Sequence, residues 1–216
     1  YDKVVSLNSK MMETVANYDL TIWSEMVQFL KTRDREFAKE NIDFLLAKSY
    51  NYSAAYVYDL NTDLIYSNSS IDGPYKEFPL AKEKIKEVFR FSKTPSFFVN
   101  TTKGLMEVKA ATVHVTGDNA RNTPIQGFFL LGKLWDRDYM NGLTDLTGNR
   151  TSLVEIAGGD TVETVQKLDN GIINVFKIIR DYENKPIAKV QITIDSPVAK
   201  EILKTSTFYF ILYVVF

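Results

Sequence analysis

Apolar residues recur three and four positions apart through the start of the chain, at Val4, Leu7, Met11, Val15, Tyr18, Ile22, Met26 and Phe29, with neither Gly nor Pro between them. A stripe at this spacing shares one face only in a helix. The chain is therefore expected to open with one amphipathic helix of about 30 residues, roughly 45 Å long at 1.5 Å per residue. A second stripe at Val5, Met12 and Trp23 widens the apolar face. Such a helix packs on its own domain and still offers a seam to a second copy, so a homodimer through it is expected.

Beyond the charged turn 31–36 (KTRDRE) and a shorter helix over 37–50, the period changes. Residues 54–60 and 63–68 are rich in aromatic and β-branched side chains and flank Asn61-Thr62, the pattern of a hairpin. Gly73-Pro74 breaks the chain, and 80–91 reads as a short helix with Leu80, Ile85, Val88 and Phe89 inward. Strands over 96–100, 105–115 and 125–135 complete a five-stranded antiparallel sheet. A helix over 136–146, capped by Asp136, closes this part. Past Gly148 the pattern is strand again, over 151–156, 161–168, 172–180 and 186–194, with turns at 169–171 and 183–185, which predicts a smaller antiparallel meander. Ser196-Pro197 opens a last helix through Leu203. The expected organisation is a long helix plus first sheet over 1–150, a β unit over 151–195, and an exit segment over 196–216.

The last nine residues, Phe208 to Phe216 (FYFILYVVF), are all apolar or aromatic. They are too few to span a hydrocarbon core, which takes about 20 residues. Their aromatic start suits the headgroup level, so the run reads as the outer end of a membrane helix; the alternative is a buried C-terminal strand. Because the sequence opens on Tyr1, an upstream segment carrying a first crossing is also expected. Four Asn-X-Ser/Thr sequons, at Asn51, Asn68, Asn100 and Asn149, fit an extracytoplasmic location.

Composition excludes several activities. Lys plus Arg number 26 against 27 Asp plus Glu, a net charge of −1, so there is no basic field for nucleic acid. There is no cysteine, hence no disulfide and no thiolate chemistry, and the lone His114 cannot build a histidine metal site. No Gly-x-Ser-x-Gly elbow accompanies it. Gly127, Gly132 and Gly158-Gly159 lack the spacing of a phosphate cradle, and acidic pairs such as Asp136 with Asp138 or Glu155 with Asp160 fall at caps and turns. The chain is read as non-catalytic and without a cofactor or metal.

The first unit does offer aromatic side chains in number, and pockets for small molecules set a few polar tips among apolar walls. Trp23, Tyr56, Tyr58, Tyr66 and His114 are the candidate ligand contacts, while any single ring also reads as core. His114 is either such a contact or a strand histidine satisfied by a neighbour. Alternation puts Glu107 and Lys109 on one face of their strand and Thr112 and His114 on the other.

Taken together, Asp19 to Phe29 (DLTIWSEMVQF), the run FAKENIDFLLAKSYNYSAAYVYDLNTDLIYSN, and later GLMEVKAATVHV and IQGFFLLGKLWDRDYMNGLTDLTG resemble the CHASE4 extracytoplasmic sensor domains, relatives of Cache and PAS-like sensors. Asp19, Trp23 and Glu25 match the local motif; Leu20 stands where the family usually has tyrosine and Ser24 where it often has an acid. The resemblance covers about residues 19–154. It implies an α+β, PAS/Cache-like fold with a long N-terminal helix across a five-stranded antiparallel sheet, and a smaller membrane-proximal β unit. It further implies the ligand-sensing ectodomain of a two-pass receptor, a histidine kinase foremost, binding an unidentified small molecule. The rival expectation is a surface or periplasmic module that binds a protein and no small molecule.

Overall fold

The computed structural model describes residues 2–46, 52–69, 78–156, 164–167, 171–202 and 205. The apolar terminus 208–216, the Gly73-Pro74 break and the sequon at Asn51 lie outside the described residues. Two compact units emerge: Val5–Asp136 with Asp181–Glu183, and the rest of the chain. Residues 137–147, read from sequence as part of the first unit, group with the second.

The N-terminal helix is present but is not continuous. Helix α1 (Asp2–Thr14) loosens into a π turn (Val15–Asp19), and α2 (Ser24–Thr32) starts only after Trp23, whose backbone is extended at φ −146° and ψ 121°. The cause lies far away in sequence. His114 N donates to Thr21 O at 2.7 Å and Trp23 N donates to His114 O at 3.1 Å, so residues 21–23 run beside a strand end and are withdrawn from the helical ladder. Periodicity survives the break because Ile22 is still buried, against the sheet end. Helix α3 (Arg35–Asn41) is capped by Asp34, whose carboxylate accepts from Glu36 N and Phe37 N, and a 3₁₀ turn (Asp43–Leu46) follows.

Strands β1 (Ala54–Tyr58), β2 (Leu64–Ser69), β3 (Ser96–Thr101), β4 (Gly104–Val113) and β5 (Gly127–Leu134) form the expected antiparallel sheet, in the order β2-β1-β5-β4-β3. Both faces are covered, which is why β1, β4 and β5 are buried almost throughout and show no apolar-polar alternation. Ala55, Val57, Val113, Phe129 and Leu131 face a core made with α1, α2 and α3; Tyr56, Tyr58, Val108, Ala110, Phe128 and Leu130 face one made with α4 (Lys82–Val88), through Ile85 and Val88. Gly127 lets α2 close down on the first face. A Cβ there would meet Tyr58 O at 2.5 Å and Leu30 Cδ1 at 2.8 Å, whereas one at Gly132 meets mainly the movable Met106 thioether. Gly127→Ala should therefore lower stability by about 1–3 kcal/mol, with a smaller loss for Gly132→Ala, as urea unfolding will show.

In the second unit α5 (Arg137–Thr147) precedes β6 (Arg150–Val154), β7 (Thr164–Lys167), β8 (Ile172–Arg180) and β9 (Pro186–Asp195), and 197–202 are helical. The sheet is not the simple meander read from sequence: its order is β6-β9-β8-β7. Only β7, β8 and β9 follow one another, while β6 pairs with the far side of β9, whose Ala188, Val190 and Ile192 are buried. Central placement of β9 satisfies both of its edges, and short β7 is left outermost.

Candidate functional site

At the end of β4 a polar knot holds the helical segment to the sheet. Arg121, on the loop before β5, is 5% exposed; its Nη1 donates to Thr112 O and its Nη2 to Asn17 O and, at 2.7 Å, to Thr21 Oγ1. The guanidinium thus satisfies one carbonyl of the π turn, that of Asn17, and ties it to the Thr112 carbonyl of β4. His114, fully buried, lies 2.9 Å from Thr112 Oγ1 through Nε2 and 3.1 Å from both Thr123 Oγ1 and Asp118 Oδ2 through Nδ1. A neutral ring with its proton on Nδ1 satisfies every one of these contacts. The sequence leaves His114 open as ligand contact or satisfied strand histidine, and its ring is surrounded by Thr112, Thr123 and Asp118.

Burial pulls the His114 pKa below its usual 6.5, helped by the charges of Arg121 and Lys93 and opposed by Asp118. Asp118 is held far below the usual carboxylate range, chiefly by the Thr123 hydroxyl. A buried neutral imidazole contributes stability that is complete above the unfolded value of 6.5 and is lost as pH falls through the folded one. Asp118 acts in a separate window, its contribution being complete above 3.8 and lost below it. Urea midpoints should accordingly fall between pH 7 and pH 5 in the parent chain and stay flatter in His114→Gln.

The other candidate contacts fall on opposite faces of the sheet. Tyr56 and Tyr58 are buried on the α4 side, where Tyr56 meets Phe78 edge-on at 5.3 Å. Trp23 and Tyr66 belong to the helix side. There a chain of rings joins them: Trp23 to Phe37 at 5.1 Å, Phe37 to Phe29 at 5.2 Å, and Phe29 to Tyr66 at 6.0 Å. Trp23 and Tyr66 are thus parts of one surface, and the sheet separates them from Tyr56 and Tyr58.

A cleft opens at each end of that aromatic row. The one at Trp23 has a volume of about 360 Å³ and is bordered by Asp19, Leu20, Glu40 and Phe44. The one at Tyr66 is larger, about 780 Å³, with Phe29, Leu64 and Ile65 as apolar wall and Arg33, Arg35, Lys39 and Asp43 as polar rim. Tyr66 donates its hydroxyl to Asp43 Oδ1 at 2.7 Å, and Asn68 donates Nδ2 to the same oxygen at 2.6 Å. Desolvation first, and then this hydrogen bond, push the Tyr66 pKa up to about 12, so the phenol stays protonated and acts as a donor. Sequence reasoning passed over the rim, taking 31–36 as a mere charged turn. The signal was there: Arg35 and Lys39 are spaced by four, which places them on one face of α3, and Asp43 follows four residues on in the 3₁₀ turn.

A family model for the CHASE4 domain matches residues 12–154. The chain belongs to the CHASE4 family. As a CHASE4 domain it is an extracytoplasmic sensor domain of signalling receptors, a class that is generally non-catalytic. Its motif residues Asp19 and Trp23 both border the smaller cleft. The CHASE4 domain shares its fold with the periplasmic domain of Vibrio cholerae LuxQ: one structure matches with a TM-score of 0.55 at 9% identity, over 88% of this chain and 93% of that one. A second LuxQ structure gives 0.54 at 10% identity, over 88% and 94%. The ligand-binding domain of the Pseudomonas aeruginosa chemoreceptor PctC, solved with GABA, matches at 0.45 and 11% identity, over 89% and 92%. No curated protein matches the chain. Among the described residues no helix is long and apolar enough to cross a membrane.

Proposed function

We propose that this CHASE4 domain is the stimulus-binding ectodomain of a two-pass receptor, a sensor histidine kinase, set between flanking transmembrane helices and dimerised through α1. The observation that carries the reading is the fastening of the helical segment. Residues 17–23 are tied to the end of β4 by backbone bonds and by Arg121, and the Trp23 cleft borders the same segment. An occupant touching Trp23 or Tyr66 therefore touches elements continuous with α1 or packed on them. Any difference in its affinity for two packings of that segment shifts the population between them. Trp23 and Tyr66 are the ligand contacts in this reading; Tyr56, Tyr58 and His114 serve the core.

Support for the dimer comes from α1 and the π turn. Leu7, Met11 and Tyr18 are 54%, 64% and 56% exposed, at spacings of four and seven that suit a two-helix seam.

Thermal melting against a small-molecule panel tests the sensing role. A ligand at about a hundred times its dissociation constant adds roughly 2.7 kcal/mol, a rise of about 5–10 °C for a chain of this size. Trp23→Ala should abolish the rise for an occupant of the smaller cleft, and Tyr66→Ala for an occupant of the larger. A melting temperature that no small molecule moves, but that a protein partner raises, would replace this reading by the protein-binding module.

A further inference from the structure

The rim of the larger cleft is unbalanced in charge. Arg33 reaches it from the C-terminal end of α2, and Arg35 and Lys39 stand one turn apart on α3. All three are exposed, and none makes an ion pair among the described residues. Arg35 and Lys39, four apart, lie on the same side of α3 and both line the cleft. The one carboxylate in the lining, Asp43, has an oxygen that already accepts two hydrogen bonds, from Tyr66 and Asn68. Arg33 takes the left-handed conformation, φ 56°, at a helix end where glycine is the usual residue. The side chain that Gly would lack is a guanidinium at the rim.

We propose that this cleft binds an organic oxyanion, a carboxylate or phosphate carried on an apolar body. Guanidinium forks match the paired oxygens of either group, and Lys39 adds a point charge beside them. Phe29 and Tyr66 supply the wall against which the apolar body lies. The volume of about 780 Å³ is that of a small-molecule site and far exceeds the needs of an inorganic ion. The proposal rests on the sensor reading above and names the ligand class for one of its two clefts.

Calorimetric titration of the whole chain with benzoate, phenyl phosphate, inorganic phosphate and the cation benzamidine tests it. At least one aromatic oxyanion should bind, more tightly than inorganic phosphate and with benzamidine silent; comparing benzoate with phenyl phosphate tells which acid the site prefers. Affinity should fall at least tenfold in Arg35→Gln/Lys39→Gln, the loss expected for charge-assisted hydrogen bonds. These residues are exposed, and an unchanged circular-dichroism melt will show the variant folded. The proposal is overturned if neither aromatic oxyanion binds at millimolar concentration, if the double variant binds as well as the parent, or if benzamidine binds equally. A chain that is stabilised by some other compound while ignoring every oxyanion would keep the sensor role and discard this ligand class.

Discussion

Glu107→Ala should destabilise the CHASE4 domain by about 3–5 kcal/mol, the loss typical of a buried ion pair with one partner removed. Glu107 and Lys109 are 4% and 7% exposed, and Lys109 Nζ lies 3.4 Å from Glu107 Oε1. Glu107 also accepts from Ser9 Oγ of α1 at 2.7 Å and from Trp135 Nε1 at 3.3 Å, while Lys109 donates to Ser96 Oγ at 2.6 Å. Lys133 is the direct cross-strand neighbour of Glu107, and burial already lowers its pKa. Truncating the carboxylate leaves the buried Lys109 ammonium without its counter-charge and removes the acceptor of Ser9 Oγ and Trp135 Nε1. Replacing both members, as in Glu107→Leu/Lys109→Met, should recover most of the loss, because neither charge is then left alone. Urea unfolding followed by Trp135 fluorescence measures both variants. A loss below about 1 kcal/mol for Glu107→Ala would mean that the pair is hydrated in solution.

Phe29→Ala should be of similar size, about 3–5 kcal/mol, for a different reason. Phe29 is 2% exposed, sits between the rings of Phe37 and Tyr66, and packs α2 on the sheet. Alanine removes a ring's worth of dispersion and leaves a cavity that three helices and a strand cannot all collapse into. Phe29→Leu should restore most of the stability but not the flat wall of the larger cleft. Separate loss of stability and of ligand response in the two variants, read by melting with and without ligand, would distinguish packing from recognition.

Much of this was legible because local pattern and final fold agree. The switch from helical to strand spacing after residue 50 located every strand of the first sheet to within a few residues, and the family motif at Asp19, Trp23 and Glu25 pointed to the sensor class. The helix break was not legible. It depends on Arg121 and His114, about a hundred residues downstream, capturing backbone groups that a local pattern assigns to a helix. The order of the second sheet was hidden for a similar reason, since nothing local says which side of β9 receives β6. As for the site, aromatic content put Trp23, Tyr66, Tyr56 and Tyr58 on equal standing, because composition does not tell the two faces of a sheet apart. The charged rim was overlooked because a run of mixed charges usually means only a solvated turn, and the convergence of Arg33, Arg35 and Lys39 appears only when α2 meets α3 beside β2.

The proposed function has occupancy move the leading helix against the sheet. The absence of cysteine makes paired spin labels straightforward: Lys10→Cys on α1 and Lys103→Cys at the β3–β4 turn, both exposed. Their distance distribution, measured by pulsed dipolar spectroscopy with and without the compound that most raises the melting temperature, should shift by about 1–2 Å, the usual amplitude of a signalling helix. An identical distribution in the two states, with melting proving the ligand bound, would contradict the coupling of this helix to the site.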